Sequence, residues 1–301
     1  RTYNGAANEN IIRVTNSTTN DSVTGGNSAN GTADKNVVEI TDSTIKGLVY
    51  GAWSKTGAQE NQVAIADSSI LHDIYGGYAS DVIAKNNTVT ISGDSSVNQL
   101  VHGGRVYNSG NAENNTVTIS GGTVGHNLAG VNGGFATSGD AKKNTVIISD
   151  GIINHNVTGG YSQNGNAEGN TVTIYGGTIN GQVYGGNEGS SAKSADDNIV
   201  NLGGYEDDEG VIHASLGQAN VLHDVIGGRR ENGSQGTGNT LNVYSVGNKV
   251  GSLQKFQNMN FYIPKETNNG DVLVTATSVA LDVDLTDVAV KAGFSNDTAL
   301  T

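Results

Sequence analysis

Apolar and polar positions along this chain follow one pattern that keeps returning. Segments of the form Asn-x-apolar-x-apolar begin at Asn10, Asn36, Asn61, Asn87, Asn115, Asn144, Asn170, Asn198 and Asn239. Successive gaps are 26, 25, 26, 28, 29, 26, 28 and 41 residues. Alternation with a period of two predicts a half-buried strand at each start. The inward residues are Ile12/Val14, Val38/Ile40, Val63/Ile65, Val89/Ile91, Val117/Ile119, Val146/Ile148, Val172/Ile174, Val200/Leu202 and Leu241/Val243. The residue between each pair points outward: Arg13, Glu39, Ala64, Thr90, Thr118, Ile147, Thr173, Asn201 and Asn242. Arg13 and Glu39 become neighbours across turns, a small surface ion pair.

A second short strand follows in each unit and ends in glycine, as in SVTGG, LVYGA, DIYGG, LVHGG, NLAG, NVTGG, QVYGG and DVIGG. Its inward residues are Val23, Val49, Ile74, Val101, Leu128, Val157, Val183 and Val225. One such unit cannot bury its apolar side alone, but stacked units can. The prediction is an all-β fold: a single-stranded parallel β-helix of about nine rungs over residues 1–250. At the strand spacing of roughly 4.8 Å, nine rungs run on the order of 40 Å.

Two recurrent residues have open readings. The Asn of each unit either bonds the amide of the next rung, forming a ladder, or is a turn residue that tolerates unusual φ and ψ. The Gly-Gly pair marks a second corner that needs either positive φ or close backbone approach. It has no Gly-Lys-Ser/Thr or GxGxxG context, so it is no phosphate loop. From about Lys255 the period lapses. The segment 251–301, with Phe256, Met259, Phe261 and Tyr262, is expected to cap the exposed strand edges and core of the solenoid end.

Composition agrees with many short strands between turns. Among 301 residues there are 44 Gly, one Pro and no Cys, and hydrophobic content is 35%. Lacking Cys, the chain has neither disulfides nor thiolate metal sites. The net charge is −13. A nucleic-acid binder needs a basic face, and sixteen scattered Lys and Arg do not supply one.

The repeat words themselves carry a resemblance. Residues 110–122 read GNAENNTVTISGG and residues 165–177 read GNAEGNTVTIYGG, and they match at eleven of thirteen positions. Such NNTVTISGGTV…VYGG…GNAE units, followed by FQNMNFYIPKETNNGDVLVTAT, resemble the passenger region of Gram-negative type V autotransporters. The resemblance covers about 10–250 for the repeats and 251–301 for the terminal segment. It implies a right-handed parallel β-helix, exported through the outer-membrane β-barrel of its own precursor and displayed or secreted outside the cell. It also implies a role in adhesion. The chain shows neither a signal peptide nor the barrel, so it is expected to be an excised passenger.

Candidate chemistry is sparse. One acidic cluster, Glu206, Asp207, Asp208 and Glu209, lies in an insertion near 203–220, where solenoids often place function. Four adjacent acids also suit a solvated loop, and they lack the alternating ligand spacing of a calcium loop. His72, His126, His155 and His223 each precede a strand-ending glycine by four residues. They read either as a metal or pH-sensitive ladder or as local turn residues. No nucleophilic triad is apparent. No catalytic set, metal or cofactor is expected.

The residue after the glycines is the main binding candidate. It is Asn27, Trp53, Tyr78, Arg105, Phe135, Tyr161, Asn187 and Arg229 in order. Trp53, Tyr78, Arg105, Phe135 and Tyr161 form a candidate stripe along the rod, of the types that protein and sugar contacts use. The competing reading turns the stripe inward to fill a third core corner. A second outward ladder is read through Tyr50, Tyr75, His102 and Tyr184. Three functions follow as expectations: an adhesin binding a host protein, a glycan or other bacteria, with self-association open; a polysaccharide hydrolase or lyase; and a structural stalk.

Overall fold

The computed structural model describes residues 2, 5–125, 130–190, 193–232 and 236–278, together with the backbone of 288–292. It is a β-solenoid of about ten turns built from parallel strands, with no helix among the described residues. Each regular turn has four strands rather than the two read from sequence. One turn runs Val37–Thr41, Thr44–Ile45, Val49–Ser54 and Gly57–Gln59. Each strand pairs with its counterpart one turn on: Val38 with Val63, Ile45 with Ile70, Val49 with Ile74, Ala58 with Ala84.

The alternation sets the core. From Val38/Ile40 to Leu241/Val243 the predicted inward pairs are at most 1% exposed, and they pack against Val49, Ile74, Val101, Val157, Val183 and Val225. Ile45, Ile70, Val97 and Ile179 from two-residue strands, and Val124 and Ile153 from the ends of nine-residue strands, complete the core. In the fifth turn the column passes through Val131, which pairs with Val101. The sequence reading had placed Leu128 there, and Leu128 and His126 lie outside the described residues. The four-residue offset shared by the histidines is therefore broken at His126, since the glycine pair of that turn is Gly133 and Gly134.

The asparagines form the ladder. Asn36 donates from both its backbone N–H and its Nδ2 to Oδ1 of Asn61, at 2.9 Å each. Asn61, Asn87, Asn115, Asn144, Asn170 and Asn198 repeat this toward the next turn. Nδ2 of Asn115 also donates to the Ala84 carbonyl at 2.9 Å, and its neighbours do likewise to Ala58 and Ala112. From Asn36 to Asn239 every ladder asparagine is fully buried. Gln257 ends the series by accepting from Asn239.

The glycine pair serves the same device. It lies inside a strand, not at a corner, and its φ values are not positive. Of the two reasons left open, close approach holds. A Cβ on Gly76 would stand 2.4 Å from the Gly103 carbonyl oxygen, and one on Gly77 would meet the Asn87 side chain at 2.5 Å. Positive φ belongs instead to the residue before each ladder asparagine, such as Lys35, Asn114, Lys143 and Gly169. That explains one of the two letters by which the repeated words differ: Asn114 and Gly169 share a left-handed backbone site.

Three outward assignments change. Arg13 and Glu39 do pair across turns, at 2.5 Å and well exposed. Thr173, Asn201 and Asn242 are buried, because the inserted hairpin folds over that face. There Asn201 bonds Thr173 at 3.0 Å and Asn242 bonds Asn201 at 2.9 Å. At the far end the parallel pairing runs past residue 250. Asn258–Ile263 stacks on Thr240–Val243, and Val288–Ala292 stacks on Asn258–Ile263. Phe256 and Met259 join the core there.

Candidate functional site

The nine-stranded sheet that begins with Val23–Ser28 carries the stripe. Backbone register alone aligns it: Asn27 pairs with Trp53, Trp53 with Tyr78, Tyr78 with Arg105, Arg105 with Phe135, Phe135 with Tyr161, and Tyr161 with Asn187. All of these side chains are half-buried. Trp53 and Phe135 are therefore not in the core, as the inward reading would require.

The neighbouring column differs from expectation. Tyr50 is half-buried, but Tyr75, His102 and Tyr184 are 4%, 1% and 3% exposed. Tyr75 and His102 are covered by ring stacking, whereas Tyr184 lies between Thr158 and Ile226 with the Arg229 guanidinium 5.9 Å from its ring centre. Tyr50 and Tyr75 lie 5.0 Å apart at 14°, and Tyr75 and His102 lie 5.3 Å apart at 1°. These rings present their faces along the solenoid axis. Tyr78 stands at 85° to Tyr75, and Phe135 at 78° to His102. Tyr78 and Phe135 thus run lengthwise along the rod, across the stacked column beneath them.

Arg105 sits amid this cluster. Its guanidinium carbon lies 5.0 to 5.9 Å from the ring centres of Tyr75, Tyr78, Tyr107 and Phe135. Its Nη1 donates to the Tyr75 hydroxyl at 3.2 Å, and that hydroxyl donates to Asp73 at 2.6 Å. Burial, then the Asp73 carboxylate, pushes the Tyr75 phenol far up, and burial also raises Tyr50 and Tyr78. These phenols stay neutral hydrogen-bond donors at any ordinary pH. Burial, helped by the Arg105 charge, lowers His102 to about 3, so it is a neutral imidazole.

A cavity of about 620 Å³ opens beside Arg105, lined also by Tyr107, Phe135, Ser138 and Gln163. Sequence reasoning missed Tyr107, which is 53% exposed. One signal was available in the repeat length. The turn after Val101–Val106 has four residues, 107–110, where the preceding turn has three, 80–82. The lengthening accounts for part of the step from a 26-residue to a 28-residue gap.

The acidic insertion is a hairpin in which Tyr205–Glu206 pairs antiparallel with Ile212–His213. Asp207 shapes its turn by accepting from the Val211 N–H at 2.7 Å, and it pairs with His213 Nε2 at 2.8 Å. The bond from His213, then that from Val211, holds the Asp207 carboxyl below its usual range. Glu206, Asp208 and Glu209 are exposed. Glu206, Asp207 and Asp208 edge a cavity of about 410 Å³ over Ile147, Thr173 and Tyr175. The hairpin cavity and the stripe thus draw on different sheets of the solenoid.

Of the remaining histidines, His72 and His223 are exposed and His155 is half-buried. Among the described residues, no group of three or more His, Asp or Glu is placed to hold a metal ion, and no helix is long and apolar enough to cross a membrane. No family model, no curated protein and no solved structure matches the chain.

Proposed function

We propose that this chain is a non-enzymatic interaction module, an adhesin-like autotransporter passenger displayed or secreted outside a Gram-negative cell. Its partners on this reading are host-surface proteins, glycans or other bacteria. The observation that carries the binding role is the in-register, half-exposed stripe of Trp53, Tyr78, Arg105, Phe135 and Tyr161. Five successive turns offer aromatic or guanidinium groups on one line, where backbone pairing alone would accept any residue. The secretion route rests on the repeat words and the terminal segment. Binding to immobilised glycans and purified host-surface proteins tests the reading. The triple variant Trp53→Ala, Tyr78→Ala, Tyr161→Ala should fold and lose at least tenfold in affinity. Undiminished binding by that variant removes the stripe from the account.

A second reading, a polysaccharide hydrolase or lyase, is favoured by one feature. The hairpin places Asp207, paired with His213, at the mouth of a cavity beside Tyr205 and Tyr175. Release of reducing ends or unsaturated products from polysaccharides, abolished by Asp207→Asn, would establish it over the first.

A further inference from the structure

We propose that the cavity beside Arg105 is a subsite for a carboxylated sugar of a glycan lying along the stripe. The proposal rests on the stripe being a binding surface, and adds which chemistry it selects.

Arg105 has no direct ion-pair partner, and the Asp73 carboxylate is linked to it only through the Tyr75 hydroxyl. None of its nitrogens lies within 4.0 Å of a carboxylate among the described residues, although the chain carries an excess of acid. Its Nε is buried and has no hydrogen-bond partner. Only Nη1 is engaged, by a neutral phenol that itself donates to Asp73. The aromatic rings strip water from the guanidinium without neutralising it. A planar fork held in this way is preorganised for a carboxylate, which can accept two parallel N–H bonds. The net charge of −13 repels anions only weakly at contact range, because exposed charges beyond about 8 Å are screened at physiological salt.

The surroundings suit a sugar rather than an inorganic anion. Phe135 and Tyr107 line the cavity with ring surface for C–H faces, and Ser109, Ser138 and Gln163 offer hydroxyl and amide groups for sugar hydroxyls. Amphipathic walls of this kind have no use for phosphate. The stripe continues on both sides, to Tyr78 and Trp53 and to Tyr161, so adjoining residues of the same glycan meet further rings. Tyr78 and Phe135 lie lengthwise along the axis, which is the direction an extended chain must take.

The test is calorimetric titration of the whole chain with tetragalacturonate, its carboxyl-reduced neutral counterpart and a tetraglutamate peptide. Tetragalacturonate should bind at least tenfold more tightly than either. Arg105→Gln should lose that tenfold margin, and Arg105→Lys most of it, because a point charge lacks the fork. Trp53→Ala, two turns away, should weaken tetragalacturonate less than Arg105→Gln does. An unchanged thermal midpoint shows that each variant folds. Equal binding of the neutral sugar, or of the peptide, overturns the assignment, as does an Arg105→Gln variant that binds like the parent. If the stripe triple variant still abolishes binding to other glycans or proteins, the interaction module stands and only the carboxylate subsite falls.

Discussion

Two columns of side chains run the length of the solenoid under the same backbone register, and they follow opposite rules. The inner one is Asn at every turn from Asn10 to Asn239. The outer one reads Asn27, Trp53, Tyr78, Arg105, Phe135, Tyr161, Asn187 and Arg229. Stacking does not require a constant residue, since the strands of the outer column pair through backbone bonds alone. Constancy arises where a side chain is the partner of its own copy. Each ladder carboxamide accepts two bonds from one neighbour and donates to the next, out of contact with water. A residue without a side-chain acceptor and donor at this reach breaks both directions at once.

The largest expected effect follows from that difference. Asn115→Ala leaves the N–H of Asn87 and one of its two Nδ2 hydrogens without an acceptor, and the Ala84 carbonyl without its side-chain donor. Unsatisfied buried groups cost about 1–3 kcal/mol each, so a loss of at least about 3 kcal/mol is expected. Tyr161→Ala, in the outer column, forfeits one edge-to-face contact with Phe135 and should cost about 1 kcal/mol. Urea unfolding midpoints of the two variants, compared with the parent, measure the gap. Equal losses would erase the distinction between the columns.

The glycine pair gives a finer contrast with a smaller effect. A methyl on Gly76 meets a backbone carbonyl oxygen that cannot yield, whereas one on Gly77 meets a side chain. The chain has made the second substitution itself, since Ala52 occupies the Gly77 position one turn earlier and is fully buried. Gly76→Ala should cost about 1–3 kcal/mol, the usual range for overpacking, and Gly77→Ala clearly less. The same unfolding measurement decides it. If Gly77→Ala proves the costlier, the ladder asparagine is less able to adjust than the backbone.

How much of this was legible in the sequence depends on whether a residue's role was local. The Val/Ile alternation exposed the long strand and its core faces, because period two is written in the chain itself. The Asn column was visible as a repeat, and its ladder as one of two options. The alanine column, Ala33, Ala58, Ala84, Ala112, Ala141 and Ala167, went unassigned in the sequence, although each is fully buried. One small residue in a strand of two or three residues has no periodicity to betray it. The stripe was legible by position, but not its half-buried state, which depends on rings of the column three positions earlier stacking beneath it. Likewise Thr173, Asn201 and Asn242 obey the outward rule locally, and a hairpin formed by residues 205–213 buries them. Arg105 was picked out by register, whereas its want of a carboxylate partner is a fact of three dimensions.

His102 stands between the two rules and yields the subtlest prediction. It belongs to a variable column, next to Tyr75 and Asn132, yet it is 1% exposed. Its ring lies flat on Tyr75 and against the edge of Phe135, with the Arg105 cation nearby. Burial first, and that cation second, lower its pKa to about 3 from the ordinary 6.5. Between those values the unfolded chain binds a proton at this site and the folded chain does not. Its contribution to stability is therefore complete above about pH 6.5 and drains away as the pH falls toward 3, by up to about 1.4 kcal/mol per unit. Carboxylates titrate over part of the same range, so the informative quantity is the difference between parent and His102→Asn. Asn132 shows that the column accepts an amide one turn on. Unfolding free energies from pH 7 to pH 4.5 should fall less steeply for the variant, with the two curves converging or crossing at the acid end. Parallel curves would mean that the folded chain takes up the proton as readily as the unfolded one. The stacked column would then be open to water despite its packing, and the variable columns would share one rule: exposed on the stripe, and exposed beneath it.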